Sequence, residues 1–277
     1  MINNTRTYKE EIADYYSRRS RSYDNSAWHA RIAQKLVEYA KIGADAHVLD
    51  VATGTGIVAM CAASHLGPDG SLVGIDISEG MIDVARTKIP DAPIENIRFE
   101  IGDGEALRFP ADSFDLILCG SAFIWMTDLH SALTHWKTRL KSRGRIGFHA
   151  FSENAFVTGL TAQRVLLKYG VSYLMSKPAG SVEKCFQLLE RAGFRNIEII
   201  VDKDGNYISL EKAKQAWASL RSPAPGQYPH PLAGLTPEQM VSAEADYQQE
   251  LERSNTDQGI WNDMTTFYVF GEKPPAP

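Results

Sequence analysis

The chain of 277 residues is 44% hydrophobic and 23% charged, which is typical of a globular protein and not of a disordered, collagen-like or low-complexity one. Its 29 Lys and Arg residues against 34 Asp and Glu residues give a formal net charge of −5. This balance argues against a nucleic-acid partner held through its phosphates. The nearest basic cluster, Arg18, Arg19 and Arg21, is typical of a solvated helix face.

Localisation signals and cysteines indicate the compartment. No apolar stretch of about 18 residues is present, so no stable membrane insertion is expected. Residues 1–6 lack the apolar core of a secretion signal. The three widely spaced cysteines, Cys61, Cys119 and Cys185, argue against a disulfide framework and a zinc site. We therefore expect a cytoplasmic protein with reduced thiols and no bound metal.

The hydrophobic pattern predicts alternating helices and strands. Residues 5–41 read as two helices interrupted near residues 24–26. Seven apolar runs then predict strands at 47–51, 71–76, 97–101, 115–119, 145–149, 197–201 and 265–270. Helices are predicted between them at 56–66, 78–88, 128–141 and 181–192. This alternation predicts an α/β fold, a doubly wound parallel sheet covered on both faces.

Two segments interrupt the alternation. Residues 153–180 and 208–262 are expected to be helical insertions, the second with a turn-rich stretch at 222–226, Pro229 and a helix start at 236–238. Such insertions form a cap over a substrate, or they only extend the core or provide a dimer surface, so a homodimer is left open. The predicted organisation is a single domain over 1–277, with an N-terminal helical cap at 1–44 and a cofactor-binding core at 45–152.

A glycine-rich loop follows the first predicted strand. Gly54 and Gly56 connect that strand to an apolar helix, and glycine lets a ligand approach the main chain closely. The helix start presents unpaired N–H groups to an anionic or polar group. Asp76 follows about 20 residues later, at the position that binds ribose hydroxyls in this fold class. The alternative is that Asp76 caps the next helix, a role that Ser78 would also fill.

Two cofactors compete for this crevice. Residues 54–59 satisfy the Gly-x-Gly-x-x-Gly/Ala pattern of nicotinamide enzymes. S-adenosylmethionine is favoured because Asp50 precedes the loop, where a carboxylate would repel a pyrophosphate but hold an amino group directly or through water. Asp103, flanked by Gly102 and Gly104, suits hydrogen bonding to an exocyclic amine such as that of adenine.

Four motifs in order resemble class I S-adenosylmethionine-dependent methyltransferases, of the type that acts on ubiquinone and menaquinone precursors or small natural products. They are residues 48–56, 73–78 with Met81, 102–110 and 114–117. Residues 140–145 resemble the turn before the fifth strand, and 267–271 the family's antiparallel seventh strand. Ala52 replaces the first glycine of the usual loop, a change that still allows close approach.

This resemblance implies a seven-stranded, mostly parallel sheet with one antiparallel strand, and S-adenosylmethionine as cofactor. It implies that Gly54 and Gly56 contact the methionine portion, and that Ile77 and Met81 enclose the adenine. The backbone from Cys119 to Ser121 would line the sulfonium side. Tyr23 resembles an N-terminal aromatic residue that closes over the cofactor.

Histidines and aromatic residues are candidates for the methyl-acceptor side. His149, at the predicted end of the fifth strand, and His29 are candidate bases; a structural hydrogen bond is the alternative for both. A segment with Phe123 and Trp125 follows the fourth strand, where substrate meets cofactor in this fold, although Trp125 would also suit the core. The remaining candidate substrate-binding residues are Trp28, Phe151, Phe156 and Tyr173.

These features predict methyl transfer to an O, N or C nucleophile of a small apolar or aromatic, quinone-like or polyketide-like molecule. The Asn/Asp-Pro-Pro-aromatic motif of nucleic-acid amino methyltransferases is not found after the fourth strand. Two alternatives stay open: a nicotinamide-dependent oxidoreductase, and a protein of this fold that binds the cofactor without transferring methyl.

Overall fold

The computed structural model describes residues 7–92, 95–173, 177–225, 227 and 230–275. The N-terminal residues 1–6 and the turn residues Gly226 and Pro229 lie outside this part of the chain. The helices are α1 (Tyr8–Tyr23), α2 (Ala27–Ala40), α3 (Ile57–Ala63), α4 (Glu79–Thr87), α5 (Leu129–Arg139), α6 (Val157–Lys168), α7 (Val182–Arg191), α8 (Leu210–Gln215) and α9 (Pro237–Arg253). The strands are β1 (His47–Val51), β2 (Ser71–Asp76), β3 (Ile97–Ile101), β4 (Phe114–Cys119), β5 (Leu140–Phe151), β6 (Arg195–Asp202), β7 (Gly205–Ile208), β8 (Ile260–Asp263) and β9 (Thr266–Glu272).

The main sheet has seven strands in the order β3-β2-β1-β4-β5-β9-β6. Strands β1 to β5 pair in parallel, whereas β9 runs antiparallel to both β5 and β6. The predicted α/β fold with one antiparallel strand is therefore confirmed. The strand order reverses between β1 and β4, and open α/β sheets bind ligands in the crevice outside the carboxyl ends of the strands at such a point.

Both faces of the sheet are covered, which explains why its strands are apolar without alternation. The successive residues Val48 and Leu49 are fully buried and pack into different clusters on the two faces. Leu36 of α2 and Ala59 of α3 belong to the first cluster. Trp136 of α5 anchors the second. Packing on both faces fixes the position of the strand ends that form the site.

Helices α1 and α2 are separated for a local reason. Thr7 and Glu10 form a reciprocal capping box at the start of α1. The Ser26 side chain accepts a hydrogen bond from the His29 backbone N–H and so starts α2. The break predicted near residues 24–26 is confirmed. It turns the chain so that α1 lies across the loops at the carboxyl ends of the strands.

Two predictions about local structure were wrong. The fifth strand begins at Leu140 and continues to Phe151, and the predicted turn at 140–145 is an irregularity within it, where the pairing with β4 shifts and Arg143 has φ +63°. The insertion at 208–262 is not wholly helical, because β8 pairs with β7 in a separate antiparallel ribbon. Short strands of this kind carry a weak sequence signal, since four residues hardly establish a period.

The insertions pack around their own apolar cluster. This cluster buries Val165 of α6, Tyr247 of α9 and Trp217, which follows α8. The ring centres of Trp217 and Tyr247 are 5.0 Å apart. Within the described residues, no helix combines the length and apolar character needed to cross a bilayer.

Candidate active site

A cavity lies at the carboxyl ends of β1, β2, β3 and β4, beneath α1 and α2. Its wall contains most of the residues predicted to bind a cofactor. They are Tyr23, Ala52, Gly54, Asp76, Ile77, Met81, Gly102, Asp103, Gly104 and Ser121. The wall also contains His29 and Trp125, which were predicted to act on the acceptor side.

The glycine loop after β1 has an unusual backbone that opens it toward the cavity. Ala52, Gly54 and Gly56 have φ values of +54°, +57° and +81°. A Cβ atom at Gly54 would meet no atom within 4 Å, so this residue faces open space. Ala52 adopts a left-handed conformation that favours glycine, so the exchange noted in the sequence carries local strain. The loop thus presents main chain, not side chains, to a ligand.

Asp76 ties this loop to the end of β2. Its Oδ2 accepts the Gly54 N–H at 2.9 Å, and its Oδ1 accepts the Ser78 N–H at 2.8 Å. The capping role belongs to Ser78, whose hydroxyl accepts the Met81 N–H at 3.2 Å. Burial raises the pKa of Asp76, and the backbone N–H groups of Ser78, Gly54 and Ile77 oppose that shift. The carboxylate can still accept a hydrogen bond from a hydroxyl group of a ligand.

Asp50 lies behind the cavity wall and does not face the ligand space directly. Its Oδ2 accepts the Thr53 hydroxyl at 2.6 Å, and Thr53 is the wall residue. Among the described residues its Oδ1 has no hydrogen-bond partner although it is buried. Burial raises the pKa of Asp50 to about 7. A ligand or a water with a hydrogen-bond donor would satisfy this carboxyl oxygen.

The far end of the cavity is formed by the loop after β3. A Cβ atom at Gly104 would lie 2.7 Å from Val51 Cγ1, so the loop passes β1 only with glycine there. Asp103 Oδ1 accepts the Glu105 N–H at 2.9 Å, which orients the carboxylate. The adjacent wall residues Ile77 and Met81 are apolar. A planar group with an exocyclic amine matches this combination.

Helix α1 closes the cavity and supplies residues that the sequence predictions missed. Tyr8, Ile12 and Tyr16 line the cavity at intervals of four residues, and Met126 completes the wall beside Trp125. This spacing, and Tyr23 two turns beyond Tyr16 on the same helix face, were visible in the sequence. It did not show whether that face packs on the core or covers a cavity.

Charged contacts hold both ends of α1. Lys9 forms ion pairs with Asp103 and Glu105 at 2.7 and 2.9 Å. Burial alone would lower the pKa of Lys9, but these hydrogen bonds raise it. At the other end, Asp24 accepts a hydrogen bond from the Thr55 hydroxyl and pairs with Lys88 at 2.7 Å. The helix is therefore fastened to the loop after β3, to the glycine loop and to the C-terminal end of α4.

Three residues predicted to contact the cofactor lie behind the wall. Asp50 is one of them, as described above. Gly56 caps α3, and a Cβ atom there would lie 2.9 Å from the Phe99 ring. Cys119 is fully buried in the core beneath the wall. Their shared position at the base of the loops explains why a linear motif includes them.

Most of the predicted acceptor-side aromatic residues do not reach the cavity wall. Phe123 is fully buried, 4.2 Å from the Phe148 ring centre. Tyr173 packs in the cluster of the insertions. Trp28, Phe151 and Phe156 pack together, with the Trp28 and Phe151 rings stacked at 5.1 Å. This group lies next to the site and shapes it from behind.

The two candidate histidines occupy different positions. His29 lines the cavity, stacks on Tyr23 at 4.6 Å, and has a buried Nδ1 with no partner among the described residues. Burial, followed by the charge of Arg19, lowers its pKa. His149 lies within β5 and not at its end, and is not part of the wall. It contacts the wall residue Ser121, whose Oγ lies 3.4 Å from His149 Nδ1.

His149 is a poor proton acceptor in this setting. Its side chain is 1% exposed, and Nε2 has no partner among the described residues. Burial lowers the pKa of His149 to about 3. Ser121, by contrast, faces the cavity and has φ +57°, a conformation that non-glycine residues rarely adopt. The pair presents a hydroxyl, oriented by a neutral imidazole, to the cavity.

Comparison with known proteins identifies the core of this chain. Residues 48–144 match a family described as methyltransferase domain. Aklanonic acid methyltransferase DauC from a Streptomyces species is 31% identical over 144 residues, covering 51% of this chain and 66% of that protein. Demethylmenaquinone methyltransferase from Symbiobacterium thermophilum is 30% identical over 137 residues, covering 49% of this chain and 54% of that protein. The aligned part thus spans less than two thirds of either relative.

Solved structures share the fold. The YcgJ protein from Bacillus subtilis has a TM-score of 0.58 at 18% identity, covering 89% of this chain and 99% of that one. Phosphoethanolamine N-methyltransferase 2 from Haemonchus contortus, solved with S-adenosyl-L-methionine, has a TM-score of 0.59 at 15% identity, covering 98% of this chain and 61% of that one. The resemblance to class I methyltransferases inferred from the sequence motifs is confirmed.

Proposed function

We propose, from the methyltransferase domain at residues 48–144, that this chain binds S-adenosylmethionine and transfers its methyl group to a small, largely apolar aromatic molecule. The observation that carries the proposal is the cavity itself. It has Asp76 and Asp103 on one wall and Gly54 facing open space at its base. The nicotinamide alternative has no support from the comparisons, which are with methyltransferases.

The residues present fit the cofactor at three points. Asp76 can still accept a hydrogen bond from a ribose hydroxyl besides those from its backbone donors. Asp103, with Ile77 and Met81 nearby, would hold the adenine. Asp50 Oδ1, which has no hydrogen-bond partner among the described residues, would bind the amino group of the methionine portion through Thr53 or a water. These assignments rest on side chains that need a donor and face a cavity.

The aromatic acceptor is supported by the aromatic residues of the cavity wall. Tyr16, Tyr23 and Trp125 present rings there, and the Tyr16 and Trp125 ring centres lie 5.7 Å apart. Two relatives are named as methyltransferases of aklanonic acid and of demethylmenaquinone. Ring faces of this kind bind flat apolar molecules.

When bound, S-adenosylmethionine supplies an electrophilic methyl carbon on its sulfonium sulfur, so little covalent chemistry is required of the protein. The protein aligns the acceptor and excludes water. Helix α1 does the second through Ile12 and Tyr16, which close the cavity from above.

His29 is the residue we assign to proton removal from the acceptor. It lines the cavity, its Nδ1 is unpaired among the described residues, and its lowered pKa keeps it neutral near pH 7. His149 is assigned a positioning role, since it holds the Ser121 hydroxyl at the wall. Ser121 would then donate to or accept from an oxygen of the acceptor.

Two measurements test this function. Calorimetric titration should give a micromolar or tighter Kd for S-adenosylhomocysteine and no binding of NADH. Incubation with S-adenosylmethionine and a panel of hydroxylated quinones and aromatic acids, followed by mass spectrometry, should show a product heavier by one methyl group. Binding of NADH alone would overturn the proposal. Binding of S-adenosylhomocysteine without any methylated product would favour a cofactor-binding protein that transfers nothing.

A further inference from the structure

Helix α1 carries a cation on its cavity-facing side. Ile12, Tyr16 and Tyr23 line the cavity, and Arg19 lies three residues after Tyr16 and four before Tyr23. Residues with these spacings share one face of a helix. Arg19 therefore belongs to the same stripe, although it reaches beyond the cavity wall to the exposed rim.

The guanidinium group of Arg19 is held in place by tyrosines. One of its nitrogens donates to the Tyr15 hydroxyl at 2.8 Å. Its central carbon lies 5.0 Å from the Tyr15 ring centre and 5.9 Å from that of Tyr16. Aromatic faces attract such a cation without neutralising it. Arg19 is thus oriented while its charge and most of its donors remain available.

Several other cations of these helices are paired with carboxylates; the exposed Arg21, like Arg19, has no ion pair within the described residues. Arg18 pairs with Asp14, Lys35 with Asp202, and Lys9 with two carboxylates. Within the part of the chain that the structure describes, no Asp or Glu forms an ion pair with Arg19. The charge of Arg19 nevertheless acts inside the site. After burial, which is the larger cause, it lowers the pKa of His29.

The rest of the cavity would repel an anion. Asp76, Asp103 and Glu105 are on its wall, against Lys9, which is already engaged by two of them. Among the described residues, Arg19 offers an anionic group of an acceptor a cation that no carboxylate engages. Burial, and after it the nearby Tyr15, raises the pKa of Tyr173, a residue of the insertions.

We propose that Arg19, together with the Tyr15 hydroxyl, binds a carboxylate of the methyl acceptor at the rim of the cavity, while the aromatic body of the acceptor lies against Tyr16, Tyr23 and Trp125. The inference rests on the proposed function and specifies its substrate class as aromatic carboxylates. Arginine suits this task because its planar fork of donors matches the two oxygens of a carboxylate.

The test compares a charged probe with its neutral isostere. The probes are 2-naphthoate and 2-naphthamide, titrated by calorimetry into protein saturated with S-adenosylhomocysteine. The variants are Arg19→Ala and Arg18→Ala, which each remove one positive charge one residue apart on the same helix. Arg18 is the matched control because it is exposed and paired with Asp14. The Kd of S-adenosylhomocysteine is measured first on every sample.

We expect wild-type protein and Arg18→Ala to prefer 2-naphthoate, and Arg19→Ala to bind it about 10- to 100-fold more weakly with little change for 2-naphthamide. The affinity for S-adenosylhomocysteine should be the same in all three. Equal losses in both variants, or no preference for 2-naphthoate in the wild type, would overturn the inference. Failure of the wild type to bind S-adenosylhomocysteine would instead reject the proposed function.

Discussion

The ammonium group of Lys9 lies 2.7 Å from Asp103 Oδ2, the carboxylate that we assign to the adenine. One ion pair thus links the helix that closes the cavity to the loop that forms its far end. Because Lys9 also pairs with Glu105 at 2.9 Å, the helix is fastened on both sides of Gly104.

Lys9→Met should loosen this closure while keeping most of the aliphatic stem. Because the pair is partly exposed, we expect a loss of about 0.2–1 kcal/mol in S-adenosylhomocysteine binding, seen as faster dissociation in stopped-flow measurements. The control is Lys35→Met, which breaks an ion pair with Asp202 outside the cavity wall. Slower dissociation from Lys9→Met than from the wild type would contradict the role of a clasp.

Asp76→Ala should weaken S-adenosylhomocysteine binding by about 1–3 kcal/mol, because a charged acceptor is lost and the Gly54 N–H is left unpaired. Ser78→Ala is the control. It removes the cap of α4 and should cost about 1 kcal/mol in unfolding free energy with little change in affinity. Calorimetry and urea unfolding measure the two effects. An unchanged affinity in Asp76→Ala would refute the ribose assignment.

Asp50→Asn tests the buried carboxyl group by its pH dependence. The folded-state pKa of about 7 lies above the ordinary value of 3.8, so the folded protein binds this proton more tightly than the unfolded chain. The contribution of Asp50 to stability therefore falls as pH rises from 3.8 to 7. Relative to the wild type, Asp50→Asn should gain unfolding free energy across that window. A difference in unfolding free energy between the two proteins that stays the same at every pH would rule this out.

His149→Leu should show the opposite dependence. Burial lowers the folded-state pKa of His149 to about 3 from 6.5, so the unfolded chain takes up a proton first as the pH falls. The stability that neutral His149 contributes is present above pH 6.5 and is lost as the pH falls toward 3. The variant should therefore lose less unfolding free energy between these values than the wild type does. A slope equal to the wild type's would show that His149 is not buried as a neutral group.

His29→Gln separates the two histidines in catalysis. If His29 removes the proton, kcat should fall by about 100-fold or more, and the acid limb of the pH profile, expected below pH 6.5, should disappear. Ser121→Ala serves as the comparison, because it breaks the link to His149 and should lower kcat without removing that limb. Wild-type turnover in His29→Gln on an acceptor that must lose a proton would return this residue to a structural role.

The order of elements was predictable because it depends on short-range patterns. The Val48–Leu49 strand with its glycine loop, and the strand that ends in Asp76, have apolar runs and spacings that few other folds satisfy. The β7–β8 ribbon was not predictable, since four-residue strands have no measurable period. The sequence motif also did not show how deep each residue lies in the fold. Asp50 and Gly56 were therefore predicted to line the cavity, whereas the structure places both behind the cavity wall.

The sequence by itself determined the fold class, the crevice at the ends of the strands and the carboxylates on its wall, because hydrophobic period and glycine spacing act over a few residues. Only the tertiary structure decided that Tyr8, Lys9 and Tyr16 close the cavity and that His29 and not His149 reaches it. It also decided that Arg19 has no carboxylate partner within the part of the chain that the structure describes. These relationships join residues far apart in the chain, and packing of complementary surfaces, which leaves no local pattern, brings them together.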